Sequence, residues 1–185
     1  MIYHLLYPLR IYFSPLNVIG YITFRSIATI LTALILSFVL GYKLIPYLKK
    51  MQIVQIVRSD GPETHKIKSG TPTMGGLIIL ISLFVSTILW SRLDNRFIQW
   101  ILISILWLGF LGWLDDYIKI IKEDPNGLKP LWKFTGQSIL GILIAIYLYY
   151  FPSNSAYSTS INIPYLKDVH LDLSIFYLIF AVIVI

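Results

Sequence analysis

The stretch Phe97–Ile120 reads FIQWILISILWLGFLGWLDDYIKI. Its first eighteen residues, Phe97–Leu114, carry no charge, and two adjacent carboxylates, Asp115 and Asp116, follow at once. A hydrocarbon core about 30 Å thick takes roughly 20 apolar residues in helical form. The run therefore reads as a membrane span that ends in an acidic pair.

Working outward, three more runs of that kind are present: about Ile22–Leu48, Met74–Trp90 and Leu131–Phe151. A fifth starts near Leu171 and continues LDLSIFYLIFAVIVI to Ile185 with no polar flank. From Leu173 it has only 13 residues, too few to span. The expectation is an all-α integral membrane protein, a polytopic helical bundle with four complete spans and a fifth that is cut. Composition agrees. Of 185 residues, 57% are hydrophobic and only 13% are charged, whereas a soluble domain has about a quarter charged. The surplus apolar surface needs lipid. Cysteine is absent, which excludes disulfides, thiolate metal sites and thiol nucleophiles. The net charge of +6 does not point to nucleic acid, because the basic residues cluster between apolar runs.

Those clusters give an orientation. One side holds Lys43, Lys49, Lys50, Arg58, Lys66, Lys68, Lys119, Lys122, Lys129 and Lys133; the other holds Arg10, Arg25, Arg92, Arg96 and Lys167. The positive-inside rule puts the first set in the cytoplasm and the N-terminus outside. Residues 1–21, with Tyr3, Tyr7, Tyr12 and Tyr21, are expected along the outer interface. The polar segment PSNSAYSTSINIP, Pro152–Pro164, is then external. Residues 1–185 read as one transmembrane domain with cytoplasmic loops at about 49–73 and 115–130.

The first of these loops contains SDGPETHKIKSGTPTMGG, Ser59–Gly76. Pro62 and Pro72 interrupt helix, while Gly61, Gly70, Gly75 and Gly76 permit close backbone approach. His65, Lys66 and Lys68 add positive charge, and Thr71 and Thr73 add hydroxyls. Amides, cations and hydroxyls ahead of a helix suit a phosphate. The plainer reading is an ordinary positive-inside loop. No Walker pattern is present.

In the second loop, carboxylates at a helix C-terminus oppose the helix dipole. Adjacent helical residues point about 100° apart, so Asp115 and Asp116 cannot share one direction. A local Asp115–Lys119 pair at i,i+4 would occupy one carboxylate and leave the other. Together the two could ligate Mg²⁺ with phosphate oxygens or accept a proton from a nucleophile. Lys133 and Gln137 stand one turn apart at the start of the fourth run. Lys133 either snorkels or serves a phosphate. His4 and His170 are isolated and read as structural or incidental. A transporter module would carry a mid-span acid, and no run has one.

GPETHKIKSGTPTMGG, followed about 40 residues later by GWLDDYIKI, resembles the bacterial phospho-N-acetylmuramoyl-pentapeptide transferase family. The opening YFSPLNVIGYITFRSI is similar to that family's start as well. The wider polyprenyl-phosphate sugar-1-phosphate transferase superfamily shares the Asp pair but generally not the TPTMGG loop. The resemblance implies a Mg²⁺-dependent enzyme of about ten helices in the bacterial inner membrane. Such an enzyme moves phospho-MurNAc-pentapeptide from UDP-MurNAc-pentapeptide to undecaprenyl phosphate, giving lipid I and UMP, and is often a homodimer. It implies Asp115 and Asp116 as the catalytic pair and metal ligands. It places Lys68 and Thr73 near the nucleotide, with His65, Lys66, Lys119 and Lys133 as further substrate contacts. One-step and covalent two-step routes both remain open. A later metal-binding Asp and a histidine-rich loop of the family are absent from residues 1–185, so this stretch alone is expected to be inactive.

Overall fold

The computed structural model describes residues 1–50, 74–122, 126–152, 159–162 and 170–184. Two compact units divide the chain, Met1–Leu128 and Lys129–Ile185.

The first unit opens with a short helix α1 (Ile2–Leu6) and two 3-10 turns, Tyr7–Ile11 and Ser14–Gly20, each with a proline in its first turn. Three longer helices follow: α2 (Ile22–Lys50), α3 (Gly76–Trp90) and α4 (Arg96–Ile121). At 1.5 Å per residue, the 29 residues of α2 and the 26 of α4 reach about 43 and 39 Å. Both exceed the hydrocarbon thickness. Their apolar side chains face outward, with Ile30 64% and Phe38 70% exposed. Exposed apolar surface of that extent marks contact with lipid or with further protein.

Helix α3 is shorter than the expected run, with 15 residues over about 22 Å. The expected span began at Met74, but Met74 holds a φ of 67°. A left-handed residue with a side chain cannot sit inside a right-handed helix, so the helix starts after it. Among the described residues, three helices, α2, α4 and α5, have the length and hydropathy to cross a bilayer.

Helix α3 packs on both α2 and α4. The Trp90 Nε1–H donates to Thr32 Oγ1 at 2.9 Å, and the Trp90 ring meets Phe24 edge-on. The Ser82 hydroxyl returns to the Ile78 carbonyl at 2.7 Å, which satisfies a polar group in an apolar setting. Gly109 on α4 lies where a Cβ would come within 2.9 Å of Leu80, so the small residue sets the α3–α4 approach. His4 proves structural. Its Nε2 accepts the Leu93 N–H at 3.1 Å and ties α1 to the α3–α4 turn. That same nitrogen lies 3.5 Å from Asp94.

The second unit holds α5 (Pro130–Tyr150), two three-residue strands and α6 (Phe176–Val184). Helix α5 starts on Pro130, whose missing N–H is no loss at a first helical position. Strand β1 (Ser160–Asn162) pairs antiparallel with β2 (His170–Asp172). The fifth run thus begins as strand, not helix. Asp172 Oδ1 accepts from the Thr159 hydroxyl and from the Ser174 N–H at 3.0 Å. Ser174 has a φ of 47°, which delays the helix until Phe176. Buried Gly141 lies where α5 packs on α6; a Cβ there would stand 3.6 Å from the Val182 carbonyl, an ordinary contact.

Candidate functional site

Helix α4 does not stop at Leu114. Its helical bonding runs on to Ile121, with Lys122 as the C-cap. Asp115 and Asp116 therefore sit on the last two turns of a rigid helix, not at the mouth of a loop. No helix breaker stands between Leu114 and Ile121, so helical hydrogen bonding continues past the end of the apolar run. The spacing that follows is decisive. Residues three and four apart are neighbours on a helix, so Lys119 reaches both acids. Its Nζ lies 2.6 Å from Asp115 Oδ2 and 3.4 Å from Asp116 Oδ1. The expected local ion pair is real, and the same lysine holds the second carboxylate as well.

A short return of the chain closes over the pair. The Leu128 N–H donates to Asp115 Oδ1 at 2.7 Å. Gly127, at a φ of 64°, is left-handed. A Cβ on Gly127 would fall 2.5 Å from Asp115 Oδ1 and 2.7 Å from Lys119 Cε. Glycine is required twice over here, by the backbone angle and by the contact. Neither Gly127 nor Leu128 was singled out by sequence reasoning. The available signal was the Pro125-Asn126-Gly127 turn signature. What it could not supply was the partner thirteen residues back.

The two acids end up unlike one another. Asp115 has a 14% exposed side chain and is held by Lys119 and Leu128; Asp116 is 31% exposed and has the longer contact to Lys119. The two carboxylates share the one Lys119 ammonium. Mg²⁺ is commonly held by one or two carboxylates together with phosphate oxygens and waters, and the pair fits that pattern. Among the described residues there is no cluster of three acidic or histidine side chains.

Of the other expected contacts, His65, Lys66, Lys68 and Thr73 lie outside the described residues. Lys133 belongs to the first turn of α5, in the second unit, one turn before Gln137.

Long apolar helices, one of them ending in a lysine-held acidic pair, define a helical membrane protein with an ionic site where a span ends. Comparison with known proteins carries this further. Residues 68–80 match the family signature described as phospho-N-acetylmuramoyl-pentapeptide-transferase signature 1. Over all 185 residues the chain is 51% identical to the phospho-N-acetylmuramoyl-pentapeptide-transferase of Endomicrobium trichonymphae. It is 43% identical to the protein of that name from Geobacter sp. (strain M21) and 42% identical to that of Thermodesulfovibrio yellowstonii. Over its whole length the chain is similar to proteins of that name. It spans about half the length of these curated relatives, 51% in each case.

Proposed function

We propose that residues 1–185 form part of a bacterial inner-membrane enzyme that transfers phospho-MurNAc-pentapeptide from UDP-MurNAc-pentapeptide to undecaprenyl phosphate. The products are lipid I and UMP. The observation that carries this reading is the conjunction of the signature over residues 68–80 with the acidic pair at the end of α4. The basic clusters favour a cytoplasmic position for both, on the side of the soluble nucleotide donor.

In the reaction, an oxygen of the lipid phosphate forms a bond to the phosphorus that carries the sugar. The bond from that phosphorus to the UMP oxygen breaks, and UMP leaves with the electron pair. Both reactants are anions, so catalysis is chiefly positioning and charge neutralisation. Asp115, clamped by Lys119 and Leu128, is the anchor of the site. Asp116, more exposed and more loosely held, is the carboxylate that meets substrate. It orients the acceptor phosphate and takes its proton if one is present. Asp115 and Asp116 together would hold Mg²⁺, which when bound offsets diphosphate charge. Lys66, Lys68, His65 and Thr73 supply cations and hydroxyls for the donor, with Lys119 and Lys133 as further phosphate contacts.

The test is UMP release from UDP-MurNAc-pentapeptide and undecaprenyl phosphate, measured in a chain of the relatives' full length that contains these residues. UDP-GlcNAc serves as the competing donor. Release from UDP-MurNAc-pentapeptide alone is expected. Preference for UDP-GlcNAc would move the protein to another branch of the superfamily. An Asp116→Asn variant that transfers at the wild-type rate would remove the acidic pair from the mechanism.

A further inference from the structure

The opposite end of α4 borders a cavity. The cavity, of about 180 Å³, is lined by Ile22, Arg25, Ser26, Thr29, Ser91, Arg92, Asn95 and Ile98. That is roughly ten times the volume one ordered water needs. Ile22 is the first residue of α2, and Asn95 is the N-cap of α4. The N-termini of two long helices thus converge on one space, and helix N-termini present unpaired N–H groups and positive potential.

Arginines are misplaced there unless something negative joins them. Arg25 stands in the first turn of α2, where the dipole disfavours a cation. Its Nε is buried with no hydrogen-bond partner, and its guanidinium lies over the Tyr3 ring at 4.8 Å. Arg92 also approaches Tyr3, at 5.4 Å, and shares its Nη2 with Asp94 at 3.0 Å. Asp94 does not line the cavity. Asn95 uses its side-chain oxygen on the Phe97 N–H at 2.8 Å, which leaves its amide N–H donors for another partner. Ser26 and Ser91 add hydroxyls. Buried donors go unpaired rarely, and Arg25 both carries such a donor and lines the cavity.

We propose that this cavity binds a phosphate-type anion, a phosphate monoester or diester held by Arg25 and Arg92 at the joined N-termini of α2 and α4. From Arg96 to Asp115 the helix rises about 29 Å, close to one hydrocarbon thickness. The cavity therefore lies at the opposite membrane boundary from the acidic pair, and its ligand is not the substrate bound there. A lipid headgroup and free phosphate share this chemistry.

Native mass spectrometry of the detergent-purified protein, incubated with phosphatidylglycerol or phosphatidylcholine, separates the sources. An inorganic-phosphate titration followed by thermal melting is the second arm. Selective retention of phosphatidylglycerol, at least tenfold over phosphatidylcholine, is expected in the wild type and in Arg10→Gln. Arg10 rests on the Tyr7 ring at 3.9 Å and does not line the cavity. In Arg25→Gln the ratio should fall to about one. Stabilisation by inorganic phosphate that Arg25→Gln abolishes, without lipid preference, supports the same site with free phosphate as its ligand. Should Arg25→Gln fail to fold, Arg25→Lys keeps the charge, removes the Nε donor and should lose most of the selectivity. Undiminished selectivity in the Arg25 variants, or no anion preference in the wild type, overturns the proposal.

Discussion

The two ends of α4 break the same rule and resolve it differently. A helix favours acids near its N-terminus and bases near its C-terminus. Here the bases, Arg92 and Arg96, stand at the start and the acids, Asp115 and Asp116, near the finish. At the acidic end the molecule supplies its own remedy: Lys119 spans both carboxylates, and the Leu128 N–H caps Asp115. At the basic end the remedy is partial. Asp94 takes Arg92, but the Arg25 Nε stays buried and unpaired. Charges set against a helix dipole are retained where a partner, internal or external, meets them. The acidic end is pre-assembled, whereas the basic end is built to receive.

The sharpest way to break this comparison is at Asp116. On the proposed function, Asp116→Asn in a chain of the relatives' full length should lower transfer by roughly 10²–10⁴-fold, the usual worth of a positioned acid–base group. The Asp115–Lys119 contact should leave folding largely intact. Steady-state UMP release, read beside the melting temperature, checks both.

Gly127→Ala comes next. The left-handed backbone alone costs a residue with a Cβ about 1–2 kcal/mol, and the added methyl must push Asp115 or Lys119 aside. Transfer should drop roughly tenfold, the size of a 1.4 kcal/mol loss of transition-state stabilisation. An alanine variant with an unchanged rate would show that the return over Asp115 is packing alone.

Away from both ends, Trp90→Phe removes the hydrogen bond to Thr32. Thermal melting in detergent should register a loss of about 0.5–1.5 kcal/mol, with transfer unaffected.

The smallest effect belongs to Asp94. The hydrogen bond from Arg92 holds its carboxyl below the usual carboxylate range, against a lesser opposing cost of burial. A depressed folded pKa gives stability that is present above the ordinary value, about pH 3.9. That stability disappears as the pH falls through the lowered folded value. The melting difference between wild type and Asp94→Asn should therefore be small at neutral pH and vanish in strong acid. Because Asp94 is exposed, solvent screening keeps the effect slight.

The sequence by itself determined the class of structure. Apolar runs of about twenty residues admit one solution in lipid, the hydrogen-bonded helix, and α2, α4 and α5 follow their expected bounds at nearly every end. It also marked Asp115 and Asp116, because a pair of charges beside such a run stands out. Local backbone angles lay beyond its reach. Met74 and Ser174 adopt positive φ and move the starts of α3 and α6, and the β1–β2 pairing takes the first residues of the fifth run. Tertiary structure decided how the acidic pair is closed over. Lys119 at i,i+4 was legible as a partner of Asp115, because helical spacing is a local rule. The cap from Leu128, the space only Gly127 can fill, and the meeting of two helix N-termini around Arg25 all join residues far apart in sequence. Such contacts depend on where the chain returns, and no pattern along the chain encodes that.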